Sequence, residues 1–521
     1  MKHTYYKVPV IAGLMFLFSV KAQAQYNFGV STGNWSGTQS LLLNPALIAD
    51  NRERFTIDLV AGNGGIENNL GSIKGGIIKA INNGDNADLI NYTKNDKFSL
   101  LAPYGKINGP GCMISINHRH SLALTTAIRG MSQFNNFDRS LYQTITNPAD
   151  LPAGDATYTS KNFNYTAHIW SEIGISYGAV VLDNEHNELR VGVTMRYLGG
   201  IGYIGLKGKN LNVQYKDGND TVYAYNSDIQ YASNILGTKT ALFNGFGNNN
   251  LLSQFFGSKD GHGFGADLGI VYDYFVDAGR APYEMDGHTD RIDYSTNRYK
   301  FRISASVLDL GAINYKSTNN SNLEATGNGY VTGTDLSNNL SNFTDFSNYL
   351  KRQGFSGDST HHDTKVHMPT RLLLNADYNL ANRWYLNAAY AVNLANRQNF
   401  GNSYYNQVTV TPRYDSRLLS IGLPITYGLL SKSVKMGLGF RISGFFVGSD
   451  DMLSLFANNQ YGANFYVGGF IPFGKTRAGD RDHDGVSNRL DKCPDEFGPW
   501  ENRGCPNKDE KGKELEDKTE N

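Results

Sequence analysis

The strict alternation of apolar and polar residues over long segments is the feature that most constrains the fold of this chain. Residues 263–275 read GFGADLGIVYDYF, so that Phe264, Leu268 and Ile270 alternate with small or acidic residues such as Asp267 and Asp273. Successive side chains of a β-strand point to opposite faces, so one face of this strand meets an apolar medium and the other a polar one. Similar windows recur up to Phe473.

The first residues indicate export. Lys2 and Lys7 precede an apolar run from Val8 to Val20, and the small-x-small sequence at 22–24 is typical of signal-peptide cleavage. We therefore expect a signal peptide at residues 1–24 and a mature chain that begins at Gln25. The apolar run is too short for a transmembrane helix. Behind an export signal, the apolar medium is predicted to be lipid, and the fold class all-β, a transmembrane antiparallel β-barrel in the cell outer membrane.

The number of alternating windows predicts the size of the barrel. About 14 strand-like windows, with 12 to 16 compatible, lie between residues 54 and 473. An even strand number places both termini on one side, which we predict to be the periplasm. Residues 25–95 form an N-terminal segment that could plug the lumen and supply the first strand or strands, and 96–473 form the barrel. A secreted β-sandwich or propeller is the alternative, but the strands are longer than those folds favour.

Connections of two kinds separate the windows. Short ones are predicted at 183–187 and 379–383, and long polar ones at 133–162, 226–262 and 316–367, with a short helix near 340–350. The segment 63–95 is expected to be a loop or short helix. Tight periplasmic turns and longer external loops are typical of bacterial barrels.

Charged residues fall on one face of the predicted strands. A charge on the lipid face near the midplane would cost roughly 2–4 kcal/mol, so these charges are predicted to point inward. The basic members are Arg190, Arg196, Arg302, Arg371, Lys435 and Arg441. Their expected acidic partners are Glu172, Asp267, Asp273 and Asp377.

After Phe473 the sequence changes to DRDHDGVSNRLDKCPDEFGPWENRGCP. Hard Ca²⁺ prefers six to eight oxygen ligands, and carboxylates at alternating positions followed by glycine at position six are typical of a calcium loop. The predicted Ca²⁺ ligands are Asp480, Asp482, Asp484, the carbonyl of Val486, Asn488 and Asp491. Position twelve is Asp instead of Glu, and no amphipathic helices flank the loop. The alternative is a solvated acidic linker with two free thiols.

This segment resembles the thrombospondin type-3 repeat that follows the barrel in OmpA-like outer-membrane proteins. The resemblance covers Asp480 to Pro506, with Asn488 where the pattern usually has Asp. Cys493 and Cys505 are the only cysteines of this module, and an exported chain meets an oxidising environment, so we predict a disulfide between them. The third cysteine, Cys112, is expected to be buried. The calcium module spans 474–506, and the charged tail 507–521 is expected to be disordered.

Three further segments carry a family resemblance: LLLNPALIAD at 41–50, ASVLDLGAINY at 305–315 and the barrel's last segment at 449–473. Together they are similar to a family of uncharacterised Bacteroidota outer-membrane barrels, a domain of unknown function. The resemblance spans roughly 25–473. It implies location and fold and brings no catalytic residue, substrate or cofactor.

The sequence favours a non-enzymatic role. The 48 basic and 48 acidic residues balance, which argues against nucleic-acid binding. His361, His362, Asp363 and His367 are interpreted as a solvated loop cluster, and no nucleophile–base signature accompanies them. We expect a structural or assembly role with outer-membrane or periplasmic protein partners, in contact with outer-membrane lipid. The alternative is a passive channel or FadL-like transporter for small or hydrophobic solutes, because fatty-acid channels also carry an Asn-Pro-Ala near the N-terminus. In this chain that tripeptide, residues 44–46, is explained equally well by a turn.

Overall fold

The alternating segments pair side by side into a closed antiparallel barrel of 14 strands. The structure is a computed structural model that describes residues 26–50, 52–76, 90–146, 155–215, 221–234, 259–276, 282–292, 299–332, 343–356, 359–360, 362–381, 383–458, 460–474 and 479–506. The predicted signal peptide, the charged tail and His361 lie outside these residues. The strand number agrees with the sequence prediction.

The strands of the first half are long. β1 is Glu53–Asn68, β2 is Lys97–Asn108 with Gly111–Ser115, β3 is His120–Asp138, β4 is Ala156–Asp183, β5 is Asn187–Tyr215, β6 is Thr221–Ser233 with Gly261–Phe275, and β7 is Tyr299–Tyr315 with Ser321–Thr332.

The strands of the second half are shorter. β8 is Ser359–Thr360, Thr364–His367 and Arg371–Ala381, β9 is Trp384–Asn393, β10 is Gln407–Asp415, β11 is Leu419–Gly422 with Ile425–Gly428, β12 is Ser433–Met436 with Leu438–Ile442, β13 is Phe445–Ser449, and β14 is Gly462–Gly474.

Closure comes from β1. It pairs with β14 from Glu53–Gly474 to Glu67–Gly462, and with both parts of β2 on its other side. Backbone groups in hydrocarbon have no water to bond, so a membrane sheet must close on itself to satisfy its edges. Among the described helices, none is long and apolar enough to cross a membrane.

The two faces of the strands follow the sequence pattern. On β6, Phe264 is 76% exposed on the outer surface, whereas Asp267 and Asp273 are 1% exposed and point into the barrel. Successive residues therefore alternate between the outer surface and the lumen. This confirms the prediction that the apolar positions point outward and the acidic positions inward.

The two ends of the barrel differ. At the end where Glu53 pairs with Gly474, the connections 116–119, 184–186, 416–418 and 443–444 are turns of two to four residues, and the connection between β6 and β7 is longer. The opposite end carries longer connections and the helix Phe343–Arg352, which confirms the predicted short helix.

The three long loops predicted from the sequence are shorter in the structure, because strands extend into the predicted loop ranges. β3 extends to Asp138 and β4 begins at Ala156, and residues 226–233 and 321–332 lie in strands where loops were expected. These extensions are rich in Asn, Ser, Thr and Tyr on both faces, so they lack the alternation that lipid contact imposes.

Two smaller expectations need correction. In the segment 63–95, expected to be a loop or short helix, β1 continues to Asn68 and a small hairpin pairs Gly71–Ile73 with Ile90–Tyr92, while residues 77–89 lie outside the described residues. Cys112 is partly exposed rather than buried, because it points outward on the same face of β2 as the exposed Ile114, whereas Met113 between them is buried.

Candidate functional site

Residues 26–50 lie inside the barrel and form what we call the luminal segment. It contains the short helix Phe28–Ser31 and the 3-10 helices Gly37–Leu42 and Pro45–Asp50. Nearly all of its described side chains are buried, although the segment has little regular structure of its own. Its position is set by polar contacts with the barrel wall.

One anchor is the Asn-Pro-Ala sequence at 44–46. The side-chain amide of Asn44 donates to the carbonyls of Ile270 and Ala305, at 3.1 and 3.0 Å, on the adjacent strands β6 and β7. Its Oδ1 accepts the N–H of Ala46 at 2.8 Å, which closes an Asx turn. The tripeptide is therefore both a turn and a wall contact.

Glycines make room for this anchor. Gly178, Gly192 and Gly269 are aligned across β4, β5 and β6. A Cβ at Gly269 would lie 1.9 Å from Asn44 Oδ1, and one at Gly192 would lie 2.3 Å from Ala46 N. The wall carries no side chains where the luminal segment approaches its backbone. Only glycine leaves enough space for this close approach.

A second anchor holds the start of the luminal segment. The N–H groups of Phe28 and Gly29 donate to the carboxylate of Asp450, at 2.9 and 3.2 Å. The N–H of Asn34 donates to Asp415 at 2.6 Å. Acidic side chains of the wall thus bind backbone donors of the luminal segment on the side of the barrel away from Asn44.

A buried charge network centres on Asp309 of β7. Arg129 donates to Asp309 at 2.7 Å and to Glu172 at 2.9 Å, and Arg371 lies 3.4 Å from Asp309. Asp309 has a positive φ of 58° and sits in a bulge opposite Asp267, whose Oδ1 accepts the Asp309 N–H at 2.7 Å. The bulge turns an acidic side chain into the lumen between cations.

The predicted inward charges are buried in the lumen, and half of them have the predicted partners. Arg190 and Arg302 pair with Asp273, and Arg196 pairs with Asp267. The other three bind acids that the sequence did not single out: Arg371 binds Asp309, Lys435 binds Glu67 at 2.8 Å, and Arg441 lies 3.4 Å from Asp415. Asp377 binds Arg413 instead, at 2.6 Å.

The wall is interrupted between β1 and β2. The pairing passes from Asp58–Gly111 directly to Ala61–Asn108, so Leu59 and Val60 face Gly109 and Pro110 without ladder pairs. On the other side of β1, the same two residues form a bulge against β14. Proline cannot donate to the ladder, and the Gly109 N–H donates to Thr126 on β3 instead. Leu59 and Val60 are 49% and 60% exposed.

A cavity of about 60 Å³ adjoins this interruption. Its lining includes Leu59, Val60 and Gly469 at the wall, and Arg129 and Asp309 of the charge network in the lumen. Thr38 and Leu41 of the luminal segment complete it. The cavity therefore connects the break in the wall with the polar interior.

The acidic loop at the C-terminal side forms a separate candidate site. Asp480, Asp482 and Asp484 each offer a carboxylate oxygen, and these atoms lie within 4.8 Å of one another. Gly485, at the sixth position, has a positive φ of 84°. Its N–H donates to Asp480 at 3.0 Å, and the N–H of Val486 donates to Asp484 at 2.8 Å, which curls the loop around the carboxylates.

Two buried acidic oxygens of this loop, Asp480 Oδ1 and Asp491 Oδ2, accept no hydrogen bond from the described residues. Asp491 is only 9% exposed. Burial, and after it the charge of Asp484, raise the pKa of Asp482 above its usual value. Buried oxygens without donors are rare, and a hard cation would satisfy them. The donor set therefore fits Ca²⁺.

Two other predicted ligands are placed differently. Val486 is fully buried. Asn488 Oδ1 accepts the Arg481 N–H at 3.0 Å, and its second lone pair is left for a cation. Cys493 and Cys505 form the predicted disulfide, which closes the segment behind Asp491.

The histidine cluster does not assemble into a site among the residues that the structure describes. His362 is exposed and its Nδ1 lies 3.1 Å from the Asp363 carbonyl, while His367 lies in β8. Hydrogen bonds from Asn314, and after it from the Ser317 N–H, hold the pKa of Asp363 below its usual value. Asp363 therefore serves loop structure.

The fold and the lumen define an outer-membrane-type β-barrel whose interior is occupied by its own N-terminal segment. The chain belongs to the family of unknown function DUF5723, whose model matches residues 45–450. This confirms the predicted membership of an unknown-function barrel family. A comparison with curated protein sequences found no match.

Solved structures similar to this chain include two toluene transporters and a FadL homologue. The Ralstonia pickettii toluene transporter TbuX is 10% identical, with 88% of this chain and 100% of that chain covered and a TM-score of 0.38. The Pseudomonas putida toluene transporter TodX is 10% identical, with 87% and 98% covered and a TM-score of 0.32. A Pseudomonas aeruginosa FadL homologue is 10% identical, with 87% and 96% covered and a TM-score of 0.28.

Proposed function

We propose that this barrel passes small amphipathic or hydrophobic solutes between its lumen and the bilayer through the break beside β1. The observation that carries the proposal is that one cavity is lined both by Leu59 and Val60 at the break and by Arg129 and Asp309 in the lumen. The sequence favoured a structural or assembly role, and this geometry supports the transport alternative instead.

The chemistry of the cavity lining suits an amphipathic solute. Leu41, Leu59 and Val60 give it an apolar side at the wall. On the luminal side, the cations Arg129 and Arg371 lie beside acidic partners, so the field there is of mixed sign. The apolar group of a bound solute would lie at the break, and its polar group would contact the charge network.

The luminal segment acts as the gate in this proposal. A cavity of about 60 Å³ holds only a few water molecules, since one water needs roughly 10–15 Å³ of such space. A solute of several carbon atoms must displace part of the cavity lining. Among the elements that line the cavity, the 3-10 helix Gly37–Leu42 does not belong to the barrel sheet, so it is the element that we propose is displaced.

We place the short-turn end, with both barrel termini, in the periplasm, and the longer connections outside the cell. Bacterial barrels share that asymmetry of connections. Solute would then enter among the long connections and leave sideways at the break.

The experiment is solute uptake by liposomes that contain the purified protein, measured with a fluorescent medium-chain fatty acid. Gly469 lines the cavity, and a Cβ there would meet nothing closer than 3.7 Å, so Gly469→Leu narrows the mouth without a backbone clash. Ala388→Leu adds similar bulk to an exposed position of β9. We expect uptake to fall several-fold in the first variant and to be unchanged in the second. Uptake no faster than in empty liposomes would refute transport.

We also propose that the acidic loop binds Ca²⁺ through Asp480, Asp482, Asp484 and Asp491, with the Val486 carbonyl and Asn488 completing the set. The orphaned, buried Oδ2 of Asp491 supports this. Calorimetric Ca²⁺ titration of the full chain tests it. Asp491→Asn should weaken binding at least tenfold, whereas Asp495→Asn, in an exposed pair with Arg481, should leave it unchanged. Absence of Ca²⁺-dependent heat in the wild type would contradict the proposal.

A further inference from the structure

A β-hairpin hangs from the short-turn end of the barrel. It lies in the connection between β6 and β7 and pairs Pro282–Met285 with His288–Ile292. Its two turn residues, Asp286 and Gly287, have φ values of 54° and 74°, as a two-residue type I′ turn requires. The turn presents a backbone N–H and a carboxylate at its tip.

This tip contacts the acidic loop at one residue. The Asp286 N–H donates to the carbonyl of Gly485 at 2.8 Å, and Asp286 Oδ1 accepts the N–H of Ser487 at 2.7 Å. The two hydrogen bonds bracket Val486, whose side chain is fully buried. Val486 is also the residue whose carbonyl is the proposed backbone ligand of Ca²⁺.

A second contact fits the next residue of the turn. A Cβ on Gly287 would lie 2.4 Å from Nε1 of Trp500, so the indole rests directly against the glycine backbone. Trp500 lies in the short 3-10 helix between the two disulfide cysteines. Both the metal loop and the disulfide loop therefore contact the same hairpin tip.

From these contacts we infer that Ca²⁺ fastens the C-terminal module to the barrel, because the ion fixes residues 485–487 in the shape that Asp286 binds. Without the cation, the carboxylates of Asp482 and Asp484 repel each other and the curl between Gly485 and Ser487 opens. This inference rests on the proposed Ca²⁺ site. Docking and Ca²⁺ binding are then thermodynamically coupled, so each strengthens the other by the same factor.

A matched pair of variants separates docking from metal binding. Asp286→Gly removes the carboxylate but keeps a turn sequence, Gly-Gly, that suits type I′. Asp286→Asn keeps the Oδ1 acceptor and the tolerance for positive φ. Neither residue belongs to the proposed ligand set.

The test is hydrogen–deuterium exchange of the full chain in detergent micelles, with Ca²⁺ or with chelator, followed in peptides that contain Asp286 and Ser487. We expect Ca²⁺ to slow exchange in both peptides of the wild type and of Asp286→Asn. In Asp286→Gly, we expect the protection of the Asp286 peptide to be lost, and the calorimetric Ca²⁺ affinity to fall several-fold without being abolished.

The outcomes distinguish the two proposals. If calorimetry shows Ca²⁺ binding but the Asp286 peptide exchanges equally with and without the ion, docking is independent of Ca²⁺ and this inference is wrong while the metal site stands. If Asp286→Gly binds Ca²⁺ as tightly as wild type, the coupling is likewise overturned. If calorimetry shows no Ca²⁺ binding, the metal site itself fails.

Discussion

The hydroxyl of Thr38, in the luminal segment, donates a 2.7 Å hydrogen bond to Asp58 of β1, the last residue that pairs with β2 before the wall is interrupted. The luminal segment is thus tied to the edge of the break. A hydrogen bond from a neutral donor to a charged carboxylate contributes roughly 1.5–3 kcal/mol to stability, which is more than a hydrogen bond between two neutral groups contributes. This bond holds the proposed gate in place.

Replacing Thr38 should release the gate. We expect Thr38→Val, which keeps the shape but loses the hydroxyl, to raise liposomal uptake of the fluorescent fatty acid several-fold. Thr38→Ser keeps the donor and should match wild type. Equal uptake by the Val and Ser variants would show that the hydrogen bond does not restrain the passage.

The glycine row of the wall should be equally sensitive. Gly192→Ala would place a methyl group 2.3 Å from the backbone nitrogen of Ala46, so the Asn44 anchor must shift. We expect larger or more frequent current steps in planar bilayers because the lumen is less well filled. Gly130→Ala, whose Cβ would meet Ile169 at 3.6 Å, is the control and should conduct like wild type. A silent Gly192→Ala barrel would argue that the segment is held elsewhere.

The buried charge network should dominate barrel stability. Asp309→Asn keeps the shape and the positive φ but leaves Arg129 and Arg371 short of a counter-charge, and breaking a buried pair costs roughly 3–5 kcal/mol. The urea midpoint of barrel unfolding should fall accordingly. Asp228→Asn breaks only the exposed pair with Lys209 and should change the free energy of unfolding by less than about 1 kcal/mol. Similar midpoints in both variants would contradict this ranking.

The sequence predicted which strand face meets lipid and which meets the lumen, but it did not predict side-chain contacts that depend on strand register. Alternation around Phe264 and Asp267 identified the two faces, because lipid tolerates few charges on one of them. Asp309 was not identified as a partner of Arg371, since its orientation comes from a bulge, and a bulge shifts side chains without leaving a periodic signal. Asp309 itself was named only as part of ASVLDLGAINY, a segment that carries the family resemblance.

The C-terminal module shows the same division. The predicted metal ligands Asp480, Asp482 and Asp484 and the disulfide could be identified from the sequence, because the residues of each lie close together along the chain. The Asp286–Ser487 contact joins residues 201 positions apart. The Asp-Gly dipeptide at 286–287 was a turn signal that could have marked the hairpin.

Removing the disulfide should affect the module and spare the barrel. The N–H of Cys493 donates to Asp491 Oδ1 at 2.7 Å. The disulfide of Cys493 therefore helps to position Asp491, one of the proposed Ca²⁺ ligands. Closing a loop of this size contributes about 3 kcal/mol in the chain-entropy description. We expect the double variant Cys493→Ser with Cys505→Ser to bind Ca²⁺ at least tenfold more weakly by calorimetry, with the urea midpoint of the barrel unchanged. Cys112→Ser, outside the module, serves as the control, and Ca²⁺ affinity that is the same in all three proteins would show that the loop holds its shape without the bridge.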